Sequence, residues 1–122
     1  MNGKIDLVMW TKNGSKTLQS VLKRIGEVIP EKIVGNRIIV DDNSSDNTRK
    51  IAESFGWQVS FNEGTGISDG ANTALKRVTS EYFASFEQDL LLSREWWEKI
   101  PPLLEKPNVA AASGMRFADK PQ

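Results

Sequence analysis

Two acidic doublets carry the chemistry open to this sequence. Asp41 and Asp42 stand side by side in IIVDDNSSDNT (Ile38–Thr48), and Glu87 and Asp89 stand two apart in FASFEQD. Adjacent carboxylates repel each other and resist leaving water, so a fold tolerates Asp41-Asp42 best at a strand's mouth, where a ligand enters between sheet and helix. A carboxylate there accepts an N–H from a planar base edge. Uracil and guanine offer a ring N–H, whereas unprotonated adenine and cytosine offer only exocyclic amines. On an extended segment, residues two apart face the same way, so Glu87 and Asp89 are placed to share one cation. Oxygen ligands suit Mg2+ or Mn2+, and such an ion keeps waters and takes phosphate oxygens as further ligands. The plainer alternatives are solvated acids at strand ends and, for Asp46, a helix cap that organises its loop; for Asp46 that structural role is the expectation.

Composition narrows the field. The chain of 122 residues has no histidine and no cysteine, so acid–base or metal chemistry runs on carboxylates, and disulfides and thiolates are excluded. Sixteen basic residues balance sixteen acidic ones, so no charge footprint points to nucleic acid or an anionic membrane. Apolar runs are only a few residues long, which leaves no membrane span and no signal-peptide core at the N-terminus. The expectation is one soluble, cytoplasmic domain.

Elements alternate along the chain. KIDLVMW (Lys4–Trp10) reads as a strand and TKNG as a turn. Ser15 is placed to cap a helix bearing Leu18, Val21, Leu22, Ile25 and Val28 at helical spacing, closed by Pro30. Arg37–Asp41 reads as a second strand, and Asp46 or Asn47 caps a helix that stops at Gly56. WQVSFN is a third strand, EGTG a loop, and Ile67–Val78 a third amphipathic helix. EYFASFE is a fourth strand, followed by a helix in REWWEKIPPLLE capped by Ser93, a weaker strand in NVAAASGMRF and a tail in ADKPQ. Of the tandem Trp96-Trp97, one is expected to pack in the core, since helical neighbours point about 100° apart. This alternation predicts an α/β fold with βαβ units and a mainly parallel central sheet. Right-handed connections bring the strands' carboxyl ends to one edge, where ligands of open α/β sheets bind. Asp41, Asp42, Glu87 and Asp89 all fall on that edge.

Four stretches then resemble one family in register. VDDNSSDNT is similar to the VDDGSxDGT signature of family 2 glycosyltransferases, whose fold is GT-A, a Rossmann-like α/β/α sandwich. WTKN (Trp10–Asn13) stands where that family has a PTYN-like turn, GISDGANTAL matches GxGxARNxGL with Gly66, Asn72 and Leu75 kept, and SEYFASFEQD matches GEYxxFLDAD. REWWEKI echoes PxWLEKL, so the resemblance covers nearly the whole chain.

The resemblance implies a nucleotide-diphospho-sugar-binding domain over residues 1–117, with 118–122 as a tail. It places Thr11, Asn13, Asp41, Asp42, Gly66, Asn72 and Glu87 in the nucleotide-sugar site. Asp89 becomes the metal ligand, with Glu87 beside it near sugar and ribose. The implied partners are a UDP- or GDP-type sugar donor, a divalent Mn2+ or Mg2+ that neutralises the departing diphosphate, and an unidentified acceptor. Two departures stand out: Glu87 replaces the first Asp of the Asp-x-Asp motif, and Ala71 stands where many members carry a diphosphate-gripping arginine.

Transfer with inversion also needs a base on the acceptor side, and without histidine that base is a carboxylate. In the family it lies well beyond the Asp-x-Asp strand. Here the acids after Asp89 are Glu95, Glu98, Glu105 and Asp119, none in a motif, and the base stays unassigned. The chain alone is therefore expected to bind donor but transfer little, as the front of a longer enzyme or as a homo-oligomer that completes its acceptor site by association. A non-catalytic nucleotide-sugar-binding or assembly module is the alternative. A nucleotidyltransferase is a third reading, for which WTKNGSKTL is a poor basic glycine-rich loop.

Overall fold

The computed structural model describes residues 4–64, 66–80 and 82–96. Its organising strand is β1 (Ile5–Thr11), buried at every position except the half-buried Trp10. β1 lies between β2 (Val34–Asp41) and β4 (Tyr82–Glu87), and β3 (Gln58–Phe61) pairs with the outer side of β2. The order is β3-β2-β1-β4 and every pairing is parallel, as the strand–helix alternation requires. The helices between them are α1 (Leu18–Val28), α2 (Thr48–Ser54) and α3 (Gly66–Lys76).

Alternation of side chains along the strands builds two cores. Ile5, Leu7, Met9, Ile39, Ala84 and Phe86 face the side covered by Leu18, Val21, Leu22 and Ile25 of α1, joined by Ala52 of α2. Val8, Ile38 and Val40 face the other side, where Ala74 of α3 closes the layer with Trp10, Val78 and Phe83 packed against it. The result is the α/β/α arrangement that the sequence resemblance implies. Burying each large aliphatic side chain contributes about 1.5–3 kcal/mol, which makes the double layer the main source of stability. Trp96 joins the first core, its ring centroid 5.9 Å from that of Phe86. The rest of the REWWEKIPPLLE helix from Trp97 on, the NVAAASGMRF strand and the tail lie outside the described residues.

At the sheet edge opposite the strands' carboxyl ends, Asp6 is fully buried. It accepts hydrogen bonds from the N–H and side-chain amide of Asn36, the N–H groups of Thr79 and Ser80, and the Ser80 hydroxyl. Burial pushes this carboxyl up, but the donors outweigh it and hold Asp6 below its ordinary range. One side chain thereby joins β1, β2 and the α3–β4 connection.

Several boundaries differ from the sequence expectation. β2 begins at Val34, before Arg37, because Ile5 of β1 pairs that far down. Ser15 does not cap α1: the residue preceding the helix is Thr17, without a side-chain cap, and the Ser15 N–H donates instead to Asp46 Oδ2 at 3.2 Å. Among the described residues, no helix is long and apolar enough to cross a membrane.

Candidate functional site

Thr11, Asp41 and Phe61 form one row across β1, β2 and β3 at the sheet's carboxyl edge. Asp41 has no exposed surface and spends its oxygens inside the protein. Thr11 Oγ1 donates to Oδ1 at 3.1 Å, Ser44 Oγ donates to Oδ1 at 2.6 Å, and the Ser44 N–H donates to Oδ2 at 2.9 Å. Asp42 is held differently. Its N–H donates to the Thr11 carbonyl at 2.9 Å, continuing the sheet, while its half-buried side chain lines an open cleft of about 720 Å3. Lys12 Nζ lies 4.0 Å from Asp42 Oδ2. Adjacent strand residues face opposite ways, and the structure uses this to separate the doublet into a buried carboxylate and a cleft carboxylate.

The loops after β1 and β2 are stitched together. Asn13, with φ of +47°, donates its N–H to Ser44 Oγ at 2.9 Å, and its side-chain oxygen accepts the Ser45 N–H at 2.8 Å. The Gly14 N–H donates to Thr48 Oγ1 at 2.8 Å, and the Thr48 N–H and hydroxyl donate to Asp46 Oδ1. The Thr48 hydroxyl is the chief reason that the Asp46 carboxyl lies far below its ordinary range. Asp46 thus organises the loop. Thr11 and Asn13, both placed in the site by sequence, act here as supports of Asp41 and of the loop crossing.

Across the cleft, Gly66 enters α3 with φ of +79°, a conformation glycine adopts freely. Asn62 ties this corner: its amide donates to the Gly66 carbonyl at 3.0 Å and its oxygen accepts the Gly64 N–H at 3.0 Å. Gly64 and Gly66 line the Asp42 cleft, whereas Asn72 lines a separate groove with Glu63, Asp69 and Lys76. Lys76 Nζ is 2.8 Å from Glu63 Oε1 and Arg77 4.0 Å from Oε2, so the cations downstream of Ala71 face Glu63.

Glu87 ends β4 in register with Trp10. The extended reading of Glu87–Asp89 does not hold: the strand stops at Glu87, and a turn follows in which the Leu90 N–H donates to the Glu87 carbonyl at 3.3 Å. The cause is Gln88. Its side chain accepts the Lys12 N–H at 2.9 Å and donates to the Lys12 carbonyl at 3.1 Å, while its own carbonyl accepts Thr17 Oγ1 at 2.9 Å. Asp89 is exposed on that turn. Among the described residues, no three or more His, Cys, Asp or Glu gather as a metal cluster. Glu87 and Asp89 thus lose the shared face that an extended segment would have given them.

A sequence model of glycosyl transferase family 2 matches residues 6–122. The chain belongs to glycosyl transferase family 2. The GT-A fold is shared with solved structures of low sequence identity. Glucosyl-3-phosphoglycerate synthase from Mycobacterium tuberculosis, solved with Mn2+, UDP and glucosyl-3-phosphoglycerate, superposes with a TM-score of 0.76 at 20% identity over 88% of this chain and 42% of its own. The mannosyltransferase PcManGT from Pyrobaculum calidifontis, solved with GDP-Man and Mn2+, gives 0.79 at 21% identity over 89% of this chain and 34% of its own. TarS residues 1–349 from S. aureus, solved with UDP-GlcNAc, gives 0.73 at 23% identity over 84% and 31%. The chain therefore spans less than half the length of these structures. No curated protein matches it significantly in sequence.

Within this family 2 chain, two cleft residues, Lys12 and Phe61, and Gln88, which holds the Lys12 main chain, were not singled out by sequence. Lys12 read only as part of a turn and Gln88 only as the spacer between two acids. Phe61 read as a strand residue, yet it is 59% exposed at the cleft with the Arg49 guanidinium 5.4 Å from its ring centroid. An aromatic left exposed at a strand's carboxyl end was the available signal.

Proposed function

We propose that this chain binds the nucleoside-diphosphate sugar donor of a metal-assisted glycosyltransferase, with UDP or GDP as the nucleotide. The observation that carries the reading is the division of Asp41 and Asp42, because it leaves one carboxylate lining a cleft with its acceptor oxygens directed to no protein N–H or O–H among those described. Asp42 accepts the ring N–H of the base, Thr11 and Asn13 hold the loop that carries it, and Gly64 and Gly66 bring main chain close to the ligand. Glu87 and Asp89 would hold a divalent cation, Mn2+ or Mg2+, which when bound neutralises the departing diphosphate. The nucleotides and Mn2+ in the neighbouring structures support this assignment.

A binding module without transfer activity is the second reading. Among the described residues after Asp89 the sole carboxylate, Glu95, is exposed and not part of the cleft, which suits this reading. Calorimetric titration with UDP, GDP, ADP and CDP, with and without Mn2+, tests donor binding. Preference for UDP or GDP, strengthened by Mn2+, is expected; equal affinity for all four removes the reading. A transfer assay with the matching donor sugars then separates enzyme from module.

A further inference from the structure

Among the described residues lining the cleft, Lys12 is the sole cation, and it stands beside the sole cleft carboxylate that is not fully buried. Its Nζ lies 4.0 Å from Asp42 Oδ2, beyond the 2.7–3.2 Å of a direct N–H···O bond, so neither group's hydrogen-bonding capacity is consumed by the other. Both are rooted firmly. Gln88 clamps the Lys12 N–H and carbonyl, and the Asp42 N–H is fixed on the Thr11 carbonyl. Only the side chains remain to adjust, and the Lys12 side chain is 53% exposed. Of the other cations near this edge, Lys76 pairs with Glu63, and Arg49 lies over the ring of Phe61 at the cleft's far side without lining the cleft itself.

We propose that Lys12 and Asp42 read the base edge as a pair. Asp42 accepts the ring N–H, and the Lys12 ammonium donates to the carbonyl next to it, so the cleft selects an N–H beside a C=O. Uracil and guanine both present that edge. Adenine and cytosine present the inverse, a ring acceptor beside an amine, and so meet each charged group with the wrong partner. This inference rests on the reading of the cleft as a nucleotide site and adds to it the residue that makes the base choice two-sided.

The test titrates the full chain and its Lys12→Met and Lys12→Arg variants with UDP, GDP, ADP and CDP, and with uridine by competition. Because Lys12 is half-exposed and its main chain is held by Gln88, both variants keep the fold, which a melting curve verifies. Lys12→Met is expected to weaken UDP, GDP and uridine by about fivefold, the scale of an exposed charged contact. ADP and CDP should be unaffected, and Lys12→Arg should retain the preference. A loss for UDP without a loss for uridine makes Lys12 a phosphate contact and overturns the pair. An equal loss for all four nucleotides overturns it as well. A parent chain that binds none of them fails the nucleotide reading itself. One that prefers UDP and GDP with Lys12→Met unchanged fails only the pair.

Discussion

Gly70 of α3 lies directly against the Trp10 indole: a Cβ at position 70 would overlap Trp10 Cδ1 and Nε1. This close approach seats α3 on β1 at the rim of the cleft. Alanine at an exposed helix site would stabilise by up to about 1 kcal/mol over glycine. Here Gly70→Ala is expected to destabilise by about 1–3 kcal/mol, the scale of overpacking. Trp10→Ala removes the ring that meets position 70, so Gly70→Ala should cost much less in that background. A double-mutant cycle in urea checks this, and additive effects would show that the two positions do not meet.

The two aspartates should separate cleanly. Asp41→Asn disturbs a fully buried acceptor serving Thr11 and Ser44. It should lower stability by about 1–3 kcal/mol. Asp42→Asn should leave the melting temperature nearly unchanged while weakening UDP or GDP by about 1.5–3 kcal/mol, the value of a hydrogen bond to a charged group. Denaturation and calorimetry on the same two proteins decide, and the reverse pattern would place the base on Asp41.

The layered fold was legible because alternating strands and helices leave few solutions once the apolar faces are matched. The Leu18–Val28 stripe and the structural role of Asp46 follow from local spacing alone. The site was legible only in part. That Asp41 and Asp42 face opposite ways follows from strand geometry, but which side carries a cleft depends on where α3 docks. The turn at Gln88 depends on hydrogen bonds to Lys12, far away in sequence, and local propensity holds no trace of them. Lys12 becomes distinctive only when the other cations are found engaged.

Acid should reveal the Asp6 network. Its folded pKa is lowered from the ordinary value of 3.8, so the unfolded chain binds the proton more readily. The stabilisation is fully present above the unfolded value and is lost as the pH falls from there through the lower folded value. Asp6→Asn keeps the shape, removes the titration, and should flatten that part of the stability curve while lowering its neutral plateau. Urea unfolding between roughly pH 6 and pH 3 measures this. Asp46, Glu31 and Glu63 are shifted in the same direction, so Asp46→Asn, Glu31→Gln and Glu63→Gln are the comparisons for the Asp6 share. A variant as acid-sensitive as the parent would remove Asp6 as a source.

The metal prediction turns on Asp89, exposed on the turn that Gln88 holds in place. A divalent cation bridging this edge to a diphosphate would link the two bindings, so UDP or GDP affinity should rise on adding Mn2+. Asp89→Ala removes one of two proposed carboxylate ligands and should abolish that rise. The melting temperature without ligand should stay within a degree or two of the parent, since substitutions at exposed positions without structural contacts shift stability by no more than about 0.5 kcal/mol. Glu87→Gln is the companion variant, because it changes the charge at the end of β4 while preserving side-chain size. Calorimetry of nucleotide at fixed Mn2+ provides the measurement. If both variants keep the full Mn2+ gain, the cation is not held at this strand end, and the EQD stretch serves only to fasten β4 to the loop after β1.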